Sequence, residues 1–272
     1  MANIIFYPYS LINGNMTDAT IDSSPAAATG FPVNNLLDRS VDLTWKANAN
    51  AAAYVFQFDL GAARDVDHII LGGHDLKTQF AGNDIVLKSF TADDYATGSV
   101  THIDEETVDT EPHFIFAFTS AEKRWWELTI NWVADSVVPT IGTIFLGEAL
   151  QATTFQSLGD SVGQSYSNNI NPSSSGRNSS ILNRKPRNIW NLNWDFMSET
   201  FRTNLQTVHL RTLGSHYPLF IADDEGTLFF VRLFPTDGYT PTRSGFQIYS
   251  QGLTIIQEDF VDFADGDGIT VR

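Results

Sequence analysis

The chain has 272 residues, 42% of them hydrophobic and 18% charged, which describes a folded protein with ample core and excludes a disordered polymer. Its formal charge of −16 argues against nonspecific nucleic-acid binding, and its lack of cysteine excludes disulfides, thiol catalysis and cysteine-ligated zinc. The charge is uneven, with 7 Lys and Arg against 20 Asp and Glu in residues 1–150 and 9 against 12 in residues 151–272, so two domains are expected.

Met1 to Phe6 lacks a basic start and a long apolar run, so no signal peptide is expected. No segment reaches the ~18–20 apolar residues of a membrane span, and the expectation is a soluble protein made in a cytoplasm without its own export signal. Residues 3–7 read as a first strand, before a polar turn at Asn13-Gly14-Asn15. The run Gly30-Phe31-Pro32-Val33-Asn34-Asn35-Leu36-Leu37-Asp38 follows, then Trp45. Tyr54, Phe56, Phe58 and Leu60 alternate with Gln57 and Asp59 on the opposite face, which predicts a half-buried strand. Val66–Leu71, residues 84–90, Phe114/Phe116/Phe118, Trp126/Leu128/Ile130/Trp132 and Ile141–Leu146 read as further strands, and the acidic stretch from Asp93 to Glu111 as a long loop or hairpin.

Asn34, Asp38, Thr44-Trp45, Asp59-Leu60-Gly61 and Val66 to Leu71 fall in an order that resembles the discoidin-type (coagulation factor 5/8 C, galactose-binding-like) jelly roll, although the spacer usual between the Thr and the Trp is missing. The resemblance covers roughly residues 20–150. It implies that a closing strand at 141–146 returns beside the first, that Trp45 is a packing residue, and that rim positions such as His74 contact ligands.

Residues 151–186 are rich in Ser, Asn and Gly and are read as a linker or a functional arm. Arg177, Arg184 and Lys185 lie there and Arg187 just beyond, with no acid between Ser161 and Trp194. Their segment is either a solvated loop or an assembly arm for an acidic surface, such as another copy of the chain. In residues 187–272, Trp190, Leu192, Trp194 and Phe196 alternate as a strand. Ser198 then caps a helix with an apolar stripe at Phe201, Leu205, Val208 and Leu210/Leu213, ended by Gly214. Strands at 218–221, 227–234 and 246–256 complete an α+β unit, and the acidic tail Asp262–Asp267 is read as frayed. The predicted fold is therefore mainly β: a jelly-roll β-sandwich at 1–150, a basic linker or arm at 151–186, and an antiparallel sheet with one helix at 187–272. The order of elements in 187–258 resembles the strand–helix–strand core of bacteriophage tail proteins.

Signatures of catalysis are missing: there is no Gly-x-Ser-x-Gly, His-Glu-x-x-His, P-loop or dinucleotide fingerprint, and the six histidines are scattered. The protein is not expected to be an enzyme or to carry a cofactor. Asp38, Asp42 and Glu148 resemble the structural calcium site of some discoidin-like modules, the alternative being turn-capping acids. Trp45, Trp125 and Tyr239 are weighed as sugar-stacking aromatics, with His74 and Trp125 kept as candidate glycan contacts. The resemblances together imply a structural protein of a phage tail tip or baseplate, sited in the virion and partnered by other copies of itself and by neighbouring tail proteins. The alternative is a carbohydrate-binding protein that recognises host surface glycans. Neither reading involves nucleic acid or membrane.

Overall fold

The computed structural model describes residues 4–8, 10–11, 19–37, 43–79, 84–131, 138–152, 161–172, 178–223, 226–234, 239, 241–245 and 247–258, with backbone alone at 78–79, 161–162, 164–172, 178–186 and 244. The strands, in chain order, are β1 (Ile5–Tyr7), β2 (Thr20–Ser24), β3 (Trp45–Lys46), β4 (Ala53–Gly72), β5 (Asp84–Phe90), β6 (Val100–Thr107), β7 (His113–Asn131), β8 (Thr140–Ile141) and β9 (Thr143–Gly147). They continue as β10 (Leu150–Gln151), β11 (Ser161–Pro172), β12 (Asn178–Met197), β13 (Leu219–Ala222), β14 (Leu228–Leu233), β15 (Thr242–Gly245) and β16 (Ile248–Gln257). The helices are the single turn α1 (Leu76–Gln79) and the longer α2 (Glu199–Arg211). The protein is mainly β, as its sequence predicts, and no helix among the described residues is long and apolar enough to cross a membrane.

Among the described residues the chain divides into two compact units: residues within 9–149 form one, and residues 4–8 join those of 150–258 in the other. In the 9–149 unit the sheet order is β2-β4-β7-β5-β6, with β9 on the far half of β4. Alternation sets the faces: Tyr54, Phe56, Phe58 and Leu60 of β4 are buried, as are Trp126, Leu128 and Ile130 opposite them on β7. β4 and β7 run too long for one flat layer, and their pairing slips between Asp59 and Arg64. Gly61 takes φ +74° there, and its N–H donates to Asp59 Oδ1. Residues on both sides of the slip, Phe58 and Leu60 before it and Val66, Ile69 and Leu71 after it, enter one core. Trp45 is completely buried in that core, edge-on to Tyr54 at 5.9 Å and Phe56 at 4.7 Å. Each such side chain contributes about 1.5–3 kcal/mol, so a cysteine-free fold needs no covalent staple.

β9 is a closing strand, but it pairs with β4 and not with the first strand. β1 lies instead in the second sheet, between β10 and β13, where Phe6 packs against Trp194 at 6.5 Å. With three residues, β1 is too short for its alternation to say which core it joins.

The second unit holds an 8-stranded sheet ordered β10-β1-β13-β14-β16-β12-β11, with β15 added to β16. Trp190, Leu192 and Trp194 share a core with Phe201, Leu205 and Val208 of α2. Ser198 caps the helix by accepting the Phe201 N–H at 3.2 Å, and Gly214, at φ +68°, donates its N–H to His209 O to close the far end. Leu210 and Leu213 are exposed, contrary to the predicted stripe. Leu210 sits about 200° around the helix from Val208, and the fully buried position beyond Val208 is Thr212.

The segment read as linker or arm is largely a β-ribbon. β11 and β12 pair from Ser161↔Asn191 to Pro172↔Asn178, whereas β16 meets β12 only between Ile189 and Met197. From Asn188 to Asn178 the ribbon has no third strand among the described residues, a reach of roughly 35 Å at ~3.3 Å per residue.

Candidate binding site

Directly opposed residues in a ladder share a face. Asp59 on β4, Trp125 on β7 and Phe90 on β5 form one row of the jelly-roll sheet, and Gln57, Glu127 and Lys88 form the next. Phe58, Trp126 and Ser89 point to the core, so both rows belong to the outer face. Trp125 is half-buried there. The guanidinium of Arg124 lies over its ring at 4.8 Å and forks onto Asp59, Nε to Oδ1 at 2.6 Å and Nη2 to Oδ2 at 2.8 Å. That fork holds the Asp59 carboxyl below the usual carboxylate range. Gln57 donates to Glu127 at 2.8 Å, and Tyr95 covers Phe90 edge-on at 5.6 Å. The Tyr95 phenol is pushed up to about 12, first by burial and then by Asp59, Glu127 and Asp93, so the local field is negative. The row therefore offers an aromatic surface, a fixed guanidinium and several acceptors. It suits hydroxyl groups beside an apolar ring face, and an ionised Asp59 is the opposite of the general acid that glycoside cleavage needs.

His74 is buried and does not stand on an exposed rim. It is 2% exposed, its Nδ1 accepts the Leu76 N–H, its own N–H donates to Pro112 O, and burial pulls its pKa down to about 3. Tyr239 is half-buried, stacked on His209 at 4.9 Å with its hydroxyl donating to Arg202 O at 2.7 Å, and packs as a structural ring. Of the candidate calcium ligands, Asp38 and Asp42 lie outside the described residues, as do Trp132 and the Asp262–Asp267 tail. Glu148 is exposed, and its carboxyl is raised by desolvation and then by Asp67 and Asp65. Among the described residues no three His, Asp or Glu side chains are grouped to hold a metal. Arg177 lies outside the described residues, Arg184 and Lys185 lie on the β12 backbone of the ribbon, and Arg187 is half-buried opposite Ser165.

A cleft in the second unit has no counterpart among the sequence expectations. It has a volume of about 220 Å³ and is lined by Asn193, Asp195, Thr242, Ser250, Gln251 and Gly252. A Cβ on Gly252 would come within 2.9 Å of Asn193 Oδ1, so the missing side chain keeps the floor open. Next to it on β12, Phe196 is 74% exposed, although alternation places it inside with Trp194. The β12–β16 register slips between Trp194 and Met197, and Met197 takes the buried position. The signal for this was the aromatic run ending in two apolar neighbours, Phe196-Met197, only one of which a period of two can bury.

No family model matches the sequence, and no curated protein does. Among solved structures, chitosan-binding module 1 from a chitosanase/glucanase of Paenibacillus sp. IK-5 is similar at 14% identity, over 52% of this chain and 99% of that one, with a TM-score of 0.43. Module 2 of the same enzyme, in complex with chitotriose, is similar at 13% identity over 51% and 99%, with a TM-score of 0.42. CpGH89CBM32-6 produced by Clostridium perfringens is similar at 16% identity over 48% and 93%, with a TM-score of 0.37. These neighbours are carbohydrate-binding modules at low identity, and none of the three is a tail protein. The fold assignment rests on the strand pairing itself.

Proposed function

We propose that the protein is a non-catalytic glycan-binding protein and that the outward Trp125 row is its recognition face. The observation that carries this reading is Arg124 stacked on Trp125 and forked onto Asp59. Two of its guanidinium nitrogens are committed to Asp59, which fixes the plane of the group. Nη1 makes no hydrogen bond among the described residues and is oriented to donate to a hydroxyl. A pyranose ring has an apolar C–H face and a rim of hydroxyls, which this combination of ring, guanidinium, amide and carboxylate complements. The negative field selects neutral or amino sugars over sulfated or uronic ones.

The test is calorimetric titration of the whole protein with chitotriose, with neutral galactose-terminated oligosaccharides and with sulfated ones. The neutral or amino sugars bind saturably and the sulfated ones do not. Trp125→Ala weakens binding on the order of tenfold or more. Binding by no member of the panel ends this reading. Loss of binding in Asn193→Ala with Trp125→Ala unaffected moves the site to the cleft over Gly252. The tail-tip role has the resemblance of residues 187–258 behind it and no matched relative.

A further inference from the structure

The two sheets end in edges of opposite kind. Among the described residues β11 is an outer strand of its sheet, with no charged residue along its 12 positions and its one proline, Pro172, at the last of them; its pairing to β12 is irregular only around Ser167. Its hairpin partner β12 supplies Arg184 and Lys185. Edges left open on a monomer are ordinarily guarded by charge or proline, because a bare ladder templates another strand. β6, an outer strand of the jelly-roll sheet, bulges at Glu105 (φ +53°) and carries a single sign of charge: Asp104, Glu105 and Glu106 are all exposed. Two β6 edges repel one another, and a ribbon without acids is not repelled.

We propose that the β11–β12 ribbon is a docking arm for a second copy of this chain, with β11 lying edge to edge along that copy's β6. Two strand spacings then separate Arg184 and Lys185 from the acidic edge, about 10 Å. That separation is close to the screening length at about 0.1 M salt, so the contact weakens steeply as salt rises. Donor edge and acceptor edge are different surfaces, so every copy carries one of each and association runs head to tail, closed where the rotation between copies closes and open where it does not.

The test is light scattering on the full-length protein over a concentration series at low and high salt. Self-association appears at low salt and weakens on the order of tenfold or more at high salt. Arg184→Glu/Lys185→Glu weakens it comparably, as does Asp104→Lys/Glu106→Lys, and mixing the two variants restores association between them. A protein that stays monomeric at low salt overturns the proposal. So does association indifferent to salt and to both reversals. Circular dichroism of each variant separates a lost contact from a lost fold, and the salt series needs no variant.

Discussion

His74 and His113 are both buried in the jelly-roll unit, each held neutral with a pKa of about 3 by desolvation, and His113 is held further from charging by His74. Their folded pKa values lie below the ordinary value of 6.5, so between about 6.5 and about 3 the unfolded chain takes up protons that the folded chain refuses. Stability is complete above that window and falls on acidification through it, with a slope approaching about 1.4 kcal/mol per pH unit for each histidine. Urea midpoints measured down the pH scale check this, and His74→Gln, which retains an acceptor for the Leu76 N–H, flattens the slope. Gly98 is a second residue-scale constraint. It sits at φ +65°, and an added Cβ would lie 2.3 Å from Thr91 Oγ1, the hydroxyl that donates to Thr97 O. Gly98→Ala costs about 1–3 kcal/mol, read as a shifted unfolding midpoint.

Helix α2 is held at its start by Ser198, and Ser198→Ala costs about 1 kcal/mol in thermal unfolding. This element was legible in the chain because cap, apolar positions and terminating glycine agree over a dozen residues. So was β4, whose four aromatic and aliphatic positions lie inside as their period requires. The recognition row was only half legible. Trp125 stands opposite the Trp126 face and is read as outward from parity alone. Arg124 has the wrong parity to share its face, and it falls where the β4–β7 pairing breaks between Asp59 and Arg64, with its guanidinium over the ring. His74 misled because a glycine pair at a strand end suggests a rim, whereas Gly72 and Gly73 are themselves buried. The Ser/Asn/Gly content of 161–186 suggests a flexible linker. Cross-strand pairing, which no composition records, makes a ribbon of it.

At the scale of the molecule, one unit is nested in the other. β1 and β10 pair antiparallel, Ile5 with Gln151 and Phe6 with Leu150, so the chain leaves the second unit and re-enters it through adjacent strands. Residues 9–149 replaced by a short turn therefore leave a second unit that still unfolds cooperatively, as seen by near-ultraviolet circular dichroism of Trp190 and Trp194. Loss of that signal in the shortened chain would show instead that the nested unit is required. The nesting also governs how the protein is made. Ile5 finds Ala222 as its neighbour, so β1 is seated against β13 only once about two hundred further residues have been made, after the nested unit has had time to complete itself. A proteolytic cut beside β1 therefore touches an interior position of the sheet built from residues 150–257, and removing residues 4–8 leaves β10 and β13 without the strand that joins them.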